Sequence, residues 1–301
     1  MKAVVTGGNG FIGSHVVDKL VNLGWQVEVV DDLSAECNEE FYFNSDATNH
    51  KVDICNYTAL LPIFEGADVV FHLAAESRIQ PAIINPLYAT KVNVIGTACV
   101  LQAARTQGVD RVIYSSTSAG YGLANEPPLV ETMPKDCLNP YSVTKCAGED
   151  MCVMYTKLFG LKTVSFRYFN VYGERQPLQG QYAPVVGLFL EQMRRNEAMT
   201  IVGDGEQRRD FTHVSDVAQA NILAALTDNE EAFGEVFNVG TGRNHSVLEL
   251  AQMMGGEYTH IPARVGEARH TLANNQKIRT ILKWEPTVVF EEWIKGAISN
   301  D

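Results

Sequence analysis

Two hydrophobic rhythms alternate along the first half of the chain. Short, nearly unbroken apolar runs stand at Lys2–Thr6, 26–30, 69–73, 111–115 and 161–166. Each has the length of a strand buried on both faces. Between them, apolar positions recur three and four apart. Phe11, Ile12, Val16, Leu20 and Leu23 fall on related faces of a helix over 11–23, and Gly24 is a fitting stop. Longer helical patterns run over 87–107, closed by Gly108, and over 141–159, closed by Gly160. Strands alternating with helices predict an α/β protein with a doubly wound parallel sheet and helices on both faces.

The rhythm changes after about residue 167. Segment 172–184 is rich in Gly, Pro, Gln and Tyr and reads as a long functional loop. Further helices are predicted at 183–195, 214–228, 246–254 and 275–283, with short strands near 199–202 and 235–239. This divides the chain into a nucleotide-binding domain, 1–167, to which later segments return, and a smaller α/β substrate domain, 168–301, which completes a cleft with it. A length of 301 residues, 46% apolar and 20% charged, suits such a pair.

Charge and cysteine usage narrow the partners. A formal net charge of -12 argues against a broad nucleic-acid or anionic-membrane surface. No apolar run is long enough for a membrane span, and the N-terminus enters strand pattern without a leader, so a cytoplasmic location is expected. The six cysteines form no C-x-x-C pair and the seven histidines are scattered. Reduced structural thiols and no metal site are expected.

The chemistry concentrates in three places. Gly7, Gly10 and Gly13 form a G-x-x-G-x-x-G turn between strand and helix, where backbone can approach a pyrophosphate and the helix N-terminus favours the anion. Asp31 follows Gly13 by 18 residues at the end of the next strand. An acid there reads the ribose hydroxyls of NAD and repels the 2′-phosphate of NADP. Asp53-Ile54, after another short strand, could face the adenine. Ser115-Ser116-Thr117 closes a buried strand. Tyr141-Ser-Val-Thr-Lys145 then sets a phenol and an ammonium four residues apart, on one helix face. A fixed positive charge near the phenol would lower its pKa and fit it to act as a base. In this order the three motifs point to a nicotinamide-dependent enzyme.

With these residues placed, the chain resembles the extended short-chain dehydrogenase/reductase family, and within it the UDP-hexose 4-epimerases. The likeness runs through Thr6–Gly13, Asp31–Ser34, Asp53-Ile54, His72–Ala75, Ser115–Gly122, Asn139–Lys145, Arg167–Asn170, Gly203–Val214, Arg264–Glu267 and Arg269–Ala273. It implies a Rossmann-type sheet with NAD as cofactor. It also implies catalysis by Thr117, Tyr141 and Lys145: Thr117 bonds the sugar's 4-oxygen, Tyr141 takes the 4-hydroxyl proton as hydride leaves C4, and Lys145 activates Tyr141 and holds the nicotinamide ribose. To the cofactor the resemblance further assigns Gly7, Gly10, Phe11, Ile12, Gly13, Asp31, Asp32, Leu33, Ser34, Asp53, Ile54, Leu73, Ala74, Ala75, Asn93 and Ser115. To a UDP-sugar substrate it assigns Thr117, Asn170, Val202, Arg209, Arg264, Glu267 and Thr271. Arg209 and Arg264 would grip the diphosphate, and Thr271 stands where the family controls room beside the sugar's C2 substituent. Its small side chain implies entry for N-acetylhexosamines as well as plain hexoses.

Three departures are mild: Glu267 where Asp is usual, Asn274 where Asp is usual, and Thr117 where Ser is common. The motifs leave the glucose, N-acetylglucosamine and glucuronic acid series open. A 4,6-dehydratase or a uronate decarboxylase is the alternative chemistry, yet Ser118-Ala119-Gly120-Tyr121-Gly122 lacks the carboxylates those relatives carry. A non-catalytic NAD-sensing module would show erosion of Tyr141, Lys145 or the hydroxyl strand, and all three are intact. Apolar residues on several faces of the two long helices, namely Val92, Val94, Ile95, Val100, Met151, Val153 and Met154, together with the resemblance imply a homodimer.

Overall fold

The computed structural model describes residues 1–35, 40–178, 183–263 and 268–299. Seven parallel strands make its central sheet. They include β1 (Lys2–Thr6), β2 (Gln26–Asp31), β3 (Thr48–Lys51), β4 (Val69–His72), β5 (Arg111–Thr117) and β6 (Lys162–Tyr168), with Glu235–Val239 added beside β6. The spatial order is β3-β2-β1-β4-β5-β6 and then Glu235–Val239. The chain reverses direction across the sheet between β1 and β4, and in a doubly wound fold ligands bind in the crevice at that switch point.

Both faces of the sheet are buried, as the unbroken apolar runs require. Val5, Val29, Phe71, Ile113 and Phe166 face one core, which α1 (Phe11–Asn22) and the helix Val214–Leu226 cover. Val4, Val30, Val70, Val112 and Tyr114 face the other, under α2 (Tyr57–Phe64) and the helices Thr97–Thr106 and Pro140–Phe159. Neighbours in sequence thus point to opposite cores, the period-2 rule of a strand. The late chain crosses back: the helix Val214–Leu226 packs on α1, and Glu235–Val239 pairs with β6. A third core forms around Tyr172, Phe189, Ile201, Phe211, Leu250 and Phe290.

The predicted helix over 87–107 is not uniform. It runs as Pro86–Thr90, then a π-helical turn at Lys91–Gly96, then Thr97–Thr106. Val100, expected at an intermolecular face, is fully buried in the core, and Val92 and Met151 pack partly against it. The helix Pro140–Phe159 has clear stops. Asn139 accepts the Ser142 N–H at 2.9 Å in a capping box, Pro140 occupies the first turn, and Gly160 ends it in the left-handed region at φ 73°. Among the described residues, no helix is long and apolar enough to cross a membrane.

Candidate active site

A cleft of about 1240 Å³ opens along the carboxyl ends of the strands. That exceeds the 300–1,000 Å³ or so of a typical single-ligand site, so a dinucleotide and a second ligand can share it. One end is the glycine turn. Gly7 sits at φ +70°, and a Cβ there would come within 2.6 Å of the Ala74 backbone nitrogen. A Cβ on Gly13 would collide with the Gly7 carbonyl. Side chains are therefore excluded at Gly7 and Gly13, and the backbone packs closely where β1 passes into α1. Asp31 accepts the Asn9 N–H at 3.1 Å and the Leu33 N–H at 2.9 Å, which fixes its carboxylate at the cleft edge. Burial raises its pKa, and those two hydrogen bonds oppose the rise.

The other end is set by β5 and the helix Pro140–Phe159. The two approach closely because residue 148 is glycine: a Cβ there would strike the Tyr114 hydroxyl. Tyr114 in turn donates to the Lys145 carbonyl at 3.2 Å. This close packing brings Thr117, at the end of β5, to Tyr141 and Lys145, and all three line the cleft. Lys145 is only 3% exposed and its ammonium lies 4.5 Å from the centre of the Tyr114 ring. Burial pushes its pKa down to about 8, against the pull of nearby Glu149. The lowered Tyr141 pKa expected from an adjacent ammonium is not found. Burial pushes the phenol above its ordinary value, and the Thr117 hydroxyl brings it part of the way back. The physical reason is that the phenol is withdrawn from water, which penalises its charged form.

Beneath this trio lies a pairing that sequence reading missed. Glu149, one helical turn beyond Lys145, takes Arg167 in a two-pronged ion pair at 2.9 and 2.9 Å and accepts the Ser116 hydroxyl at 2.6 Å. The pairing holds its carboxyl below the usual range despite burial. Tyr141, Lys145 and Glu149 step at i, i+4, i+8, and that spacing was the available signal.

Most of the residues assigned to the cofactor line the cleft: Gly7, Gly10, Phe11, Ile12, Gly13, Asp31, Asp32, Ser34, Asp53, Ile54, Leu73, Ala74, Ala75 and Ser115. Leu33 does not; it turns at φ 61° and serves through its N–H. Asn93 does not either. It sits buried in the π turn and clamps other segments, accepting the Glu76 N–H at 2.8 Å while donating to the Glu76 carbonyl and to Thr144 at 3.0 Å each. Asn170, Arg209 and Thr271 line the far wall, where Asn170 donates to the Asp210 carbonyl at 3.1 Å and to the Thr271 hydroxyl at 3.3 Å. Val202 ends its strand away from the cleft wall, and its carbonyl accepts from Gln207. Arg264 and Glu267 lie outside the described residues. Glu76, Arg78, Asn139 and His270 also line the cleft without having been anticipated. Glu76 and Arg78 follow directly on the Leu73-Ala74-Ala75 run, whose position at a strand end could have flagged them.

Comparison with known proteins gives this geometry a context. Residues 3–240 match the model of the NAD dependent epimerase/dehydratase family. The UDP-glucose 4-epimerase of Mycolicibacterium smegmatis is 36% identical over 310 residues, covering 99% of this chain and 97% of that protein. The crystal structure of a UDP-glucose 4-epimerase from Thermotoga maritima with UDP-glucose superposes with a TM-score of 0.90 at 36% identity, covering 99% and 98% of the two chains. A UDP-N-acetylglucosamine 4-epimerase from Methanobrevibacter ruminantium M1, in complex with UDP-N-acetylmuramic acid, gives 0.92 at 32% identity over 99% and 97%. The chain belongs to the NAD-dependent epimerase/dehydratase family and is similar to its UDP-hexose 4-epimerases.

Proposed function

We propose that this protein is an NAD-dependent 4-epimerase of UDP-hexoses. The observation that carries the reading is the convergence of Thr117, Tyr141 and Lys145 on one wall of a cleft with room for two ligands. NAD would fit the other end: the close-packed turn with Gly7 and Gly13 would hold its pyrophosphate, and the fixed Asp31 carboxylate would suit unmodified ribose hydroxyls. When bound, NAD supplies a cationic ring that takes a hydride from the alcohol carbon and can return it.

The rest belongs to the protein. Tyr141 accepts the proton of the sugar's 4-hydroxyl, and Thr117 bonds the same oxygen and orients it. Lys145 keeps positive charge behind the phenol and offers a donor to the cofactor's ribose. Glu149 and Arg167 fix the helix under them. Inversion at C4 requires the 4-oxygen, presented from the other side of the sugar, to take its proton back from the same phenol. The ring must therefore turn about its diphosphate link while Asn170 and Arg209 hold the nucleotide part. The absence of a carboxylate at Ser118 and Ala119 favours epimerisation over dehydration or decarboxylation.

The small side chain of Thr271 on the cleft wall extends the reading to N-acetylhexosamines. Incubation with a panel of UDP- and GDP-sugars, with products identified by NMR, tests this. UDP-glucose should yield UDP-galactose, and UDP-N-acetylglucosamine its galacto epimer; a panel without any C4 epimer sinks the proposal.

The reading includes a homodimer. Ile84, Leu87, Ile95, Val143 and Leu158 are exposed on helices beside one another, Leu87 to 82%. A second copy presenting the same face would bury them in a two-fold helical interface. Sedimentation equilibrium should give twice the chain mass, and a monomer at micromolar concentration would remove the interface.

A further inference from the structure

Segments 208–209 and 269–271 run side by side on the far wall of the cleft. Arg208 and His270 face each other in a parallel bridge. There the Arg208 N–H donates to the Arg269 carbonyl at 2.9 Å, and the Thr271 N–H donates to the Arg208 carbonyl at 3.1 Å. His270 lines the cleft, and a row of side chains orients its ring from behind. Glu249 takes the Arg208 guanidinium in a two-pronged ion pair at 2.8 and 3.0 Å. Arg208 donates through Nε to the Asn244 side chain at 3.0 Å, and Asn244 reaches His270 Nε2 at 2.6 Å.

These bonds decide which ring nitrogen carries the proton. Arg208 Nε only donates, so the Asn244 atom that faces it is the carbonyl oxygen. The Asn244 amide nitrogen therefore points the other way, where it also donates to the Thr271 carbonyl at 3.0 Å. An amide NH₂ only donates, so His270 Nε2 accepts. A neutral imidazole that accepts through one nitrogen carries its proton on the other. Nδ1 is thus a donor, and among the described residues no group accepts from it. Arg209 locates the part of a ligand that this donor meets. It lines the same wall and donates to the carbonyls of Arg208 and Arg269, at 3.0 and 3.3 Å, on either side of the bridge. The UDP-sugar reading puts the diphosphate at Arg209, and phosphate oxygens are strong acceptors. We infer that His270 is a further substrate-binding residue, which donates its Nδ1–H to that diphosphate. The inference rests on the UDP-sugar reading and adds to it a neutral donor, its proton placed by Glu249, Arg208 and Asn244.

Calorimetric binding of UDP and of UDP-glucose to the NAD-loaded protein provides the test. His270→Ala should weaken both by about tenfold or more, the usual worth of a hydrogen bond to a charged group. His270→Asn sets an amide nitrogen close to where Nδ1 stands and should recover most of that loss. In ¹⁵N NMR of the unmodified protein, the neutral His270 ring should show its proton on Nδ1. Unchanged UDP binding in His270→Ala overturns the inference and leaves the epimerase reading standing. So does a loss confined to UDP-glucose, which would place His270 on the sugar. A ring protonated on Nε2, or no recovery in His270→Asn, also overturns it. If neither UDP nor UDP-glucose binds the unmodified protein, the UDP-sugar reading falls and takes the inference with it.

Discussion

At the glycine-turn end of the cleft, Asp31 draws its hydrogen bonds from Leu33, two positions on, and Asn9, 22 positions back. On the far wall, Asn170 reaches Thr271 across 101 positions. There Asp210, fully buried, accepts from the N–H groups of Thr241, Gly242 and Ala273 at 2.8 to 3.0 Å. The first wall follows from strand ends in consecutive order. The second exists only after segments near 170, 210, 240 and 271 have been gathered. The end proposed for the cofactor is thus written locally, whereas the wall proposed for the sugar is held together by a buried carboxylate that joins distant loops. The proposed catalytic trio of Thr117, Tyr141 and Lys145 lines the same cleft.

The largest effect should come from that shared element. Tyr141→Phe keeps the ring and removes the proton acceptor, and it should lower epimerisation by about 10²–10⁴-fold. Bound NAD, measured by release on denaturation, should remain at wild-type stoichiometry. Loss of the cofactor together with activity would show that Tyr141 supports the local wall instead of the chemistry. A smaller and more selective effect is expected on the gathered wall. Thr271→Tyr fills space beside the sugar, and overpacking of this kind costs about 1–3 kcal/mol. Its kcat/KM for UDP-N-acetylglucosamine should fall about 5- to 150-fold relative to that for UDP-glucose. Thr271→Ser, which keeps the hydroxyl for Asn170 and Asp210, should retain both substrates. If both variants lose both substrates equally, Thr271 acts through the hydrogen-bond network and not as a gate.

The same division explains what could be read from the chain. The β1 strand, the glycine turn, Asp31 and the Tyr141/Lys145 pair are features of short segments, and their spacing alone suggested their chemistry. The π turn at Lys91–Gly96 could not be read that way, because apolar periodicity there is close to that of an ordinary helix; within it Asn93, which the resemblance assigns to the cofactor side, bonds the main chain of residue 76. The state of Tyr141 was also illegible. Helical spacing places an ammonium near a phenol, but it says nothing about how far both are withdrawn from water, and burial decides the direction of the shift. Glu149 and Arg167 form their pair only because β6 lies next to β5, a tertiary fact.

The central claim is that one alcohol carbon is oxidised and then reduced on its other face without leaving the cleft. The direct measurement uses UDP-glucose carrying deuterium at C4, incubated with the NAD-loaded protein and followed by NMR. The account predicts UDP-galactose that retains deuterium at C4, with the same retention in UDP-glucose re-formed from it. UDP-galactose with solvent hydrogen at C4, or no UDP-galactose at all, would contradict it.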